Sequence, residues 1–254
     1  GSGGDIFSSW SHMRLAGVRS YGATAGINGG CLHVASHSVS HSNVETGPTI
    51  NLLNFSGIGS KALRGFGGCL FIQQGYVVVE NSSFQETSAA LSGGAIAAKS
   101  VDSHTLTIEL QGSNRFLKNI ARKGSGGSIS ADERVYIFMF GDTHFEETTA
   151  ETGGGALVAN GHQCVAVISG NVQISQSHCQ SNCSGGAIQV SNAAAVSLQT
   201  QGFLMTTHTT GTNGGSISVD GSGSRLVVDG LWISNTTSAI GYFGRGGVLS
   251  VSGG

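Results

Sequence analysis

Short apolar runs return along the chain at a near-constant interval, each announced by a pair of glycines. After the second glycine, aliphatic residues occupy positions two and four: Leu32/Val34, Leu70/Ile72, Ile96/Ala98, Ile129/Ala131, Leu157/Ala159, Ile188/Val190, Ile217/Val219 and Leu249/Val251. Alternation with period two predicts a β-strand with one buried face. About ten residues on comes a second run: Val77-Val78-Val79, Leu106/Ile108/Leu110, Val135/Ile137/Met139, Val165/Val167, Val196/Leu198 and Leu226/Val228. A third is anchored by an aromatic with a small polar residue three places later: Phe84/Thr87, Phe116/Asn119, Phe145/Thr148, Phe203/Thr206 and Trp232/Asn235, with Ile174/Ser177 as the aliphatic version.

The glycine pairs end at Gly30, Gly68, Gly94, Gly127, Gly155, Gly186, Gly215 and Gly247, a mean spacing of 31 residues. Three strands joined by Gly, Asn, Ser and Thr cannot bury their own apolar face, whereas stacked copies close one another's core. The glycines break every window long enough for a helix. The expectation is an all-β, right-handed parallel β-helix of about eight three-strand coils. It forms one repetitive domain over residues 1–254, a piece of a longer polypeptide. The hand follows the general preference of parallel crossovers.

Composition narrows this picture. Glycine supplies 42 of 254 residues and charged residues only 10%, a balance also seen in linkers, but the 39% hydrophobic residues are periodically placed. A net charge of −2 argues against a nucleic-acid partner. The most apolar run, Val135–Phe140, is too short to span a membrane as a helix. Trp10 and Met13 are expected to plug the first, compressed coil.

The pairing of Gly93-Gly94-Ala95-Ile96 and Gly185-Gly186-Ala187-Ile188 with Phe116-Leu117-Lys118-Asn119 resembles the chlamydial-type polymorphic membrane protein repeat, a GGAI element followed by FxxN. That resemblance covers nearly the whole chain. It implies a β-helix displayed at a cell surface, with adhesion among the roles of the family. Thr or Ser replaces the family's Asn in most copies.

Candidate chemistry is sparse. Cys31 and Cys69 hold the same place in successive copies, so stacking brings them within disulfide range, and Cys179 and Cys183 flank a turn that can also bridge. Cys164 is left over. Asn54, Asn81, Asn182 and Asn235 head N-glycosylation sequons. His33, His37 and His41 would align on a helix, but four serines and a strand start point to a loop, and no metal or cofactor is expected. Polysaccharide-cleaving β-helices need clustered carboxylates. Here Asp132-Glu133-Arg134 and Glu146-Glu147 are the only dense spots, and neighbours on a strand face opposite sides.

Positions one and three after the glycines are small. Ala95/Ala97, Ser128/Ser130, Ala156, Ala187 and Ser216/Ser218 are expected to face outward as a smooth packing surface. Together these readings predict a non-catalytic extracellular or cell-surface element acting as rod, filament or adhesin. Its expected partners are its own copies, another surface protein or glycans. The alternative is a carbohydrate-active enzyme, a polysaccharide lyase or hydrolase.

Overall fold

The computed structural model describes residues 4–9, 12–35, 48–101, 104–180, 183–207, 209–210, 213–235 and 248–252. Strands are the only regular elements among them, and every pairing between strands is parallel. Four sheets of nine, eight, eight and six strands run along the stack, and each strand pairs with its equivalents one coil before and after. The fold is a parallel β-helix, as the glycine repeat predicts. The fourth sheet is an addition: two-residue strands such as Ser88–Ala89, Ile120–Ala121 and Thr149–Ala150 follow the aromatic run and turn the chain back toward the next glycine pair.

The glycine pair is required twice over. Gly93 sits at φ 69°, in the left-handed region that L side chains rarely adopt. A Cβ on Gly94 would collide with the Gly127 carbonyl of the following coil. The same collision recurs at Gly68, Gly127 and Gly155, so the pair marks where coil backbones approach most closely.

Inside, like residues stack on like. Leu70, Ile96, Ile129, Leu157, Ile188 and Ile217 form one buried column, and Phe84, Phe116 and Phe145 form another with ring centroids 5.0 and 4.8 Å apart. Beside the rings runs a fully buried polar column, Thr87, Asn119, Thr148, Ser177 and Thr209. Asn119 is its hub. Its Oδ1 accepts from the Thr87 amide (3.1 Å) and hydroxyl (2.8 Å), and its Nδ2 donates to the Phe84 carbonyl (3.1 Å).

Register departs from the expectation in three places. Val165 and Val167 face outward, while Ala166 and Ile168 pair with Ile137 and Met139 inside. Cys164 to Ile168 is apolar throughout, so period two alone selects no face. Phe203 is also outward; Thr206 takes the place beside Ile174, and Thr209, not Thr206, continues the polar column. Trp232 aligns with Leu204 rather than with the stacked phenylalanines, and Ser234 follows Thr206. Leu249 and Val251, expected inside, are exposed on the last strand.

Met13 packs against the core; Trp10 lies outside the described residues. No helix among the described residues is long and apolar enough to cross a membrane.

Candidate binding groove

The outward packing surface expected from the small residues does not exist in that form. Ala95, Ser128, Ala156, Ala187 and Ser216 are fully buried and point inward. The amides of Ala95 and Ile96 both donate to the Ser128 carbonyl, at 3.0 and 2.9 Å, and the amides of Ser128 and Ile129 do the same to Ala156. Two successive residues converging on one acceptor break the pleat as a bulge does, so both side chains enter the core. The strand proper starts only at Ile96. This inward turn also puts Cys31 and Cys69 in the core, bonded as a disulfide with Cα atoms 4.6 Å apart. Cys179 and Cys183 form a second disulfide, Cα to Cα 5.8 Å, and Cys164 is a free, buried thiol.

Ala97, Ser130 and Ser218 do lie on the outer side, in the row His33, Phe71, Ala97, Ser130, Val158, Gln189, Ser218. Yet Ala97 is 2% exposed and Ser130 9%, because the row is the floor of a groove. One wall comes from the turns that lead into the glycine pairs: Phe66, Ser92, Ser125 and Thr152. The other is the residue five places after each second glycine: Lys99, Asp132, Asn160 and Ser191 in register, with Asn192 beside them. The enclosed volume is about 340 Å³, at the lower end of the roughly 300–1,000 Å³ common for small-ligand sites.

The polar wall is wired from coil to coil. Lys99 Nζ lies 3.2 Å from Asp132 Oδ2, and Asn160 Nδ2 donates to Asp132 Oδ1 at 2.8 Å. Asn160 Oδ1 in turn accepts from Ser191 Oγ (2.9 Å) and Asn192 Nδ2 (2.7 Å). On the opposite wall, Ser125 Oγ meets Thr152 Oγ1 at 2.8 Å, and the Ser125 amide donates to Ser92 Oγ at 3.1 Å. Aromatic side chains close one end: Phe66 stacks on Phe71 at 5.8 Å, with Lys99 Nζ 5.8 Å from the Phe66 centroid. Gln189 closes the other. Its carboxamide lies against Gly153, where a Cβ would strike Oε1.

Beyond the aromatic end, His33 is buried between Phe7 (5.2 Å) and Phe71 (5.0 Å). Its Nε2 is 3.2 Å from Gln73 Oε1, and Nδ1 has no partner among the described residues. Burial lowers its pKa, opposed in part by the Gln73 contact. His37 and His41 fall outside the described residues, among which no group of three metal-ligating side chains occurs.

The dense acidic spots separate. Glu146 pairs with Arg115 (2.9 Å) and Glu147 with Lys118 (3.7 Å), on the exposed surface of another sheet. Among the described acidic residues, Asp132 alone lines the groove. Asn54 and Asn81 are exposed at left-handed turns, φ 50° and 48°, and Asn81 Oδ1 accepts the Ser113 amide of the next coil. Asn235 is exposed; Asn182 lies outside the described residues.

The groove walls are functional candidates that the strand pattern alone does not single out. A signal for one wall is nevertheless present: the fifth residue after the second glycine is polar in seven copies, Gln73, Lys99, Asp132, Asn160, Ser191, Asp220 and Ser252. Comparison with protein-family models, curated proteins and solved structures finds no match.

Proposed function

We propose that the chain is a non-catalytic β-helical rod that works outside the cell as an adhesive or structural display element. The observation that carries this reading is the state of Asp132. Among the described residues it is the single carboxylate lining the groove, and both its oxygens are engaged, one by Lys99 and one by Asn160. Glycosidic hydrolysis needs two carboxyl groups across the bond, and calcium-assisted elimination needs several around the ion. One neutralised carboxylate on a hydrogen-bonded wall suits holding a ligand rather than attacking it. Two disulfides favour an oxidising compartment. The resemblance to surface-displayed GGAI/FxxN repeats points the same way.

Ala95, Ala156 and Ala187 cannot mediate lateral association, since those side chains are buried inside the coils. Association with other surface molecules then falls to the groove face. Incubation of the chain with acidic and neutral polysaccharides, followed by mass spectrometry of the products, tests the reading. Unchanged polymers are expected. Shortened or unsaturated products that disappear in Asp132→Asn would establish the carbohydrate-active alternative.

A further inference from the structure

We propose that the groove over Ala97 and Ser130 is a binding site for a short, neutral, hydroxyl-rich oligosaccharide of two to three units. The chemistry of the lining selects this class by elimination and by fit. A peptide cannot enter by adding a strand, because the floor strands Ile96–Lys99 and Ile129–Asp132 are paired on both sides. Among the described residues an anionic ligand finds no free cation in the groove: Lys99, the one basic residue of that lining, is held by Asp132. A purely apolar ligand would leave unmet the hydrogen-bonding capacity that Ser92, Ser125, Thr152, Asn160 and Asn192 retain beyond their present partners.

A neutral sugar meets each of these groups on its own terms. Vicinal hydroxyls both donate and accept, and so do carboxamides and hydroxyls, while each Asp132 oxygen retains a lone pair beyond its present partner. Phe66, which is half-buried, offers apolar surface for the C–H edges of a pyranose ring, and the Ala97–Ser130 floor is low enough to let a ring settle between the walls. From the Phe71 strand to the Val158 strand is three strand spacings, about 14 Å. That length suits a disaccharide or trisaccharide. The wall is also pre-organised: Asp132, Asn160, Ser191 and Asn192 fix one another across three coils, so little ordering remains for the ligand to impose.

The inference deepens the display role proposed above and rests on it only for the fate of the bound sugar. The test is titration calorimetry of the whole chain. Its ligands are neutral di- and trisaccharides of glucose, mannose, galactose and N-acetylglucosamine, with trigalacturonate as the acidic comparator. At least one neutral trisaccharide is expected to bind saturably, with a Kd at or below about 1 mM. Ala97→Phe fills the floor with the side chain its row already carries at Phe71, and Asn160→Ala cuts the polar wall. Each variant should weaken binding by about tenfold or more, with unchanged far-UV circular dichroism. Absence of saturable binding by every neutral sugar up to about 10 mM overturns the site. So does unchanged affinity in Asn160→Ala, or preference for trigalacturonate. A sugar that is bound and then cleaved keeps the site and overturns the non-catalytic reading; an intact rod that binds none does the reverse.

Discussion

Phe116 and Phe145 lie one coil apart with ring centroids 4.8 Å from each other and planes 15° from parallel, both shut off from solvent. Phe84 extends the stack on the other side of Phe116. Phe116→Ala therefore opens a cavity that two neighbouring coils cannot close, and should cost about 3–5 kcal/mol in urea unfolding. Phe116→Asp should prevent folding, because the charge has no partner there. A loss below about 1 kcal/mol for the alanine variant would show that the ring is not in the core.

Asn119 supports the same coil with hydrogen bonds. Asn119→Ala leaves the buried Thr87 amide and Phe84 carbonyl without their side-chain partners, each worth about 1–3 kcal/mol. Asn119→Thr should recover part of this, since Thr148 fills the same column one coil later and bonds to Ser177 at 2.8 Å. Chemical denaturation of the two variants should rank threonine above alanine; the reverse order would contradict the role of the polar column.

The legible and illegible parts of this fold divide along physical lines. Gly93-Gly94-Ala95-Ile96 and its copies announce coil number and strand direction, because backbone crowding leaves no substitute for glycine at those corners. Cys31 and Cys69 align for the same reason. Orientation near the corner is harder to read. Alternation assumes a regular pleat, and the doubled hydrogen bond from Ala95 and Ile96 to Ser128 breaks it, turning an expected outer face into core. Phe203 does not reveal its face in the sequence, because aromatic type says nothing about register when Leu204 beside it is equally apolar. The groove depends on turns meeting across coils, as Phe66 meets Lys99. Such contacts have no local signature beyond the polar fifth position.

Cys164 offers a probe of core tightness. Burial, with the Asp132 carboxylate adding to it, pushes its thiol up to about 12 from 9.0. The native chain should resist iodoacetamide at pH 8 and react once unfolded. Between pH 9 and 12 the unfolded thiol ionises while the folded one does not, so stability falls as pH rises. Cys164→Ala should flatten that slope in urea titrations; labelling of the native thiol at the unfolded rate would contradict the burial.

His33 acts in the opposite direction. Its folded pKa is lowered from 6.5 by burial, so its contribution is present above that value and is lost as pH falls through it. His33→Phe matches the flanking Phe7 and Phe71 in the same row and removes the titrating ring. The wild type should lose more stability between pH 7 and 5 than this variant. Parallel profiles would mean that His33 is hydrated in solution.

The claim that the groove face is the recognition surface is tested most directly by amide chemical-shift mapping. Isotope-labelled chain is titrated with the tightest-binding neutral trisaccharide. Shifts are expected at Lys99, Ser130, Asp132, Asn160 and Gln189, with the outward aromatics of the second sheet, Tyr136 and Phe138, unmoved. Shifts centred on Tyr136, Phe138 and Phe140, with the groove amides unchanged, would contradict the account.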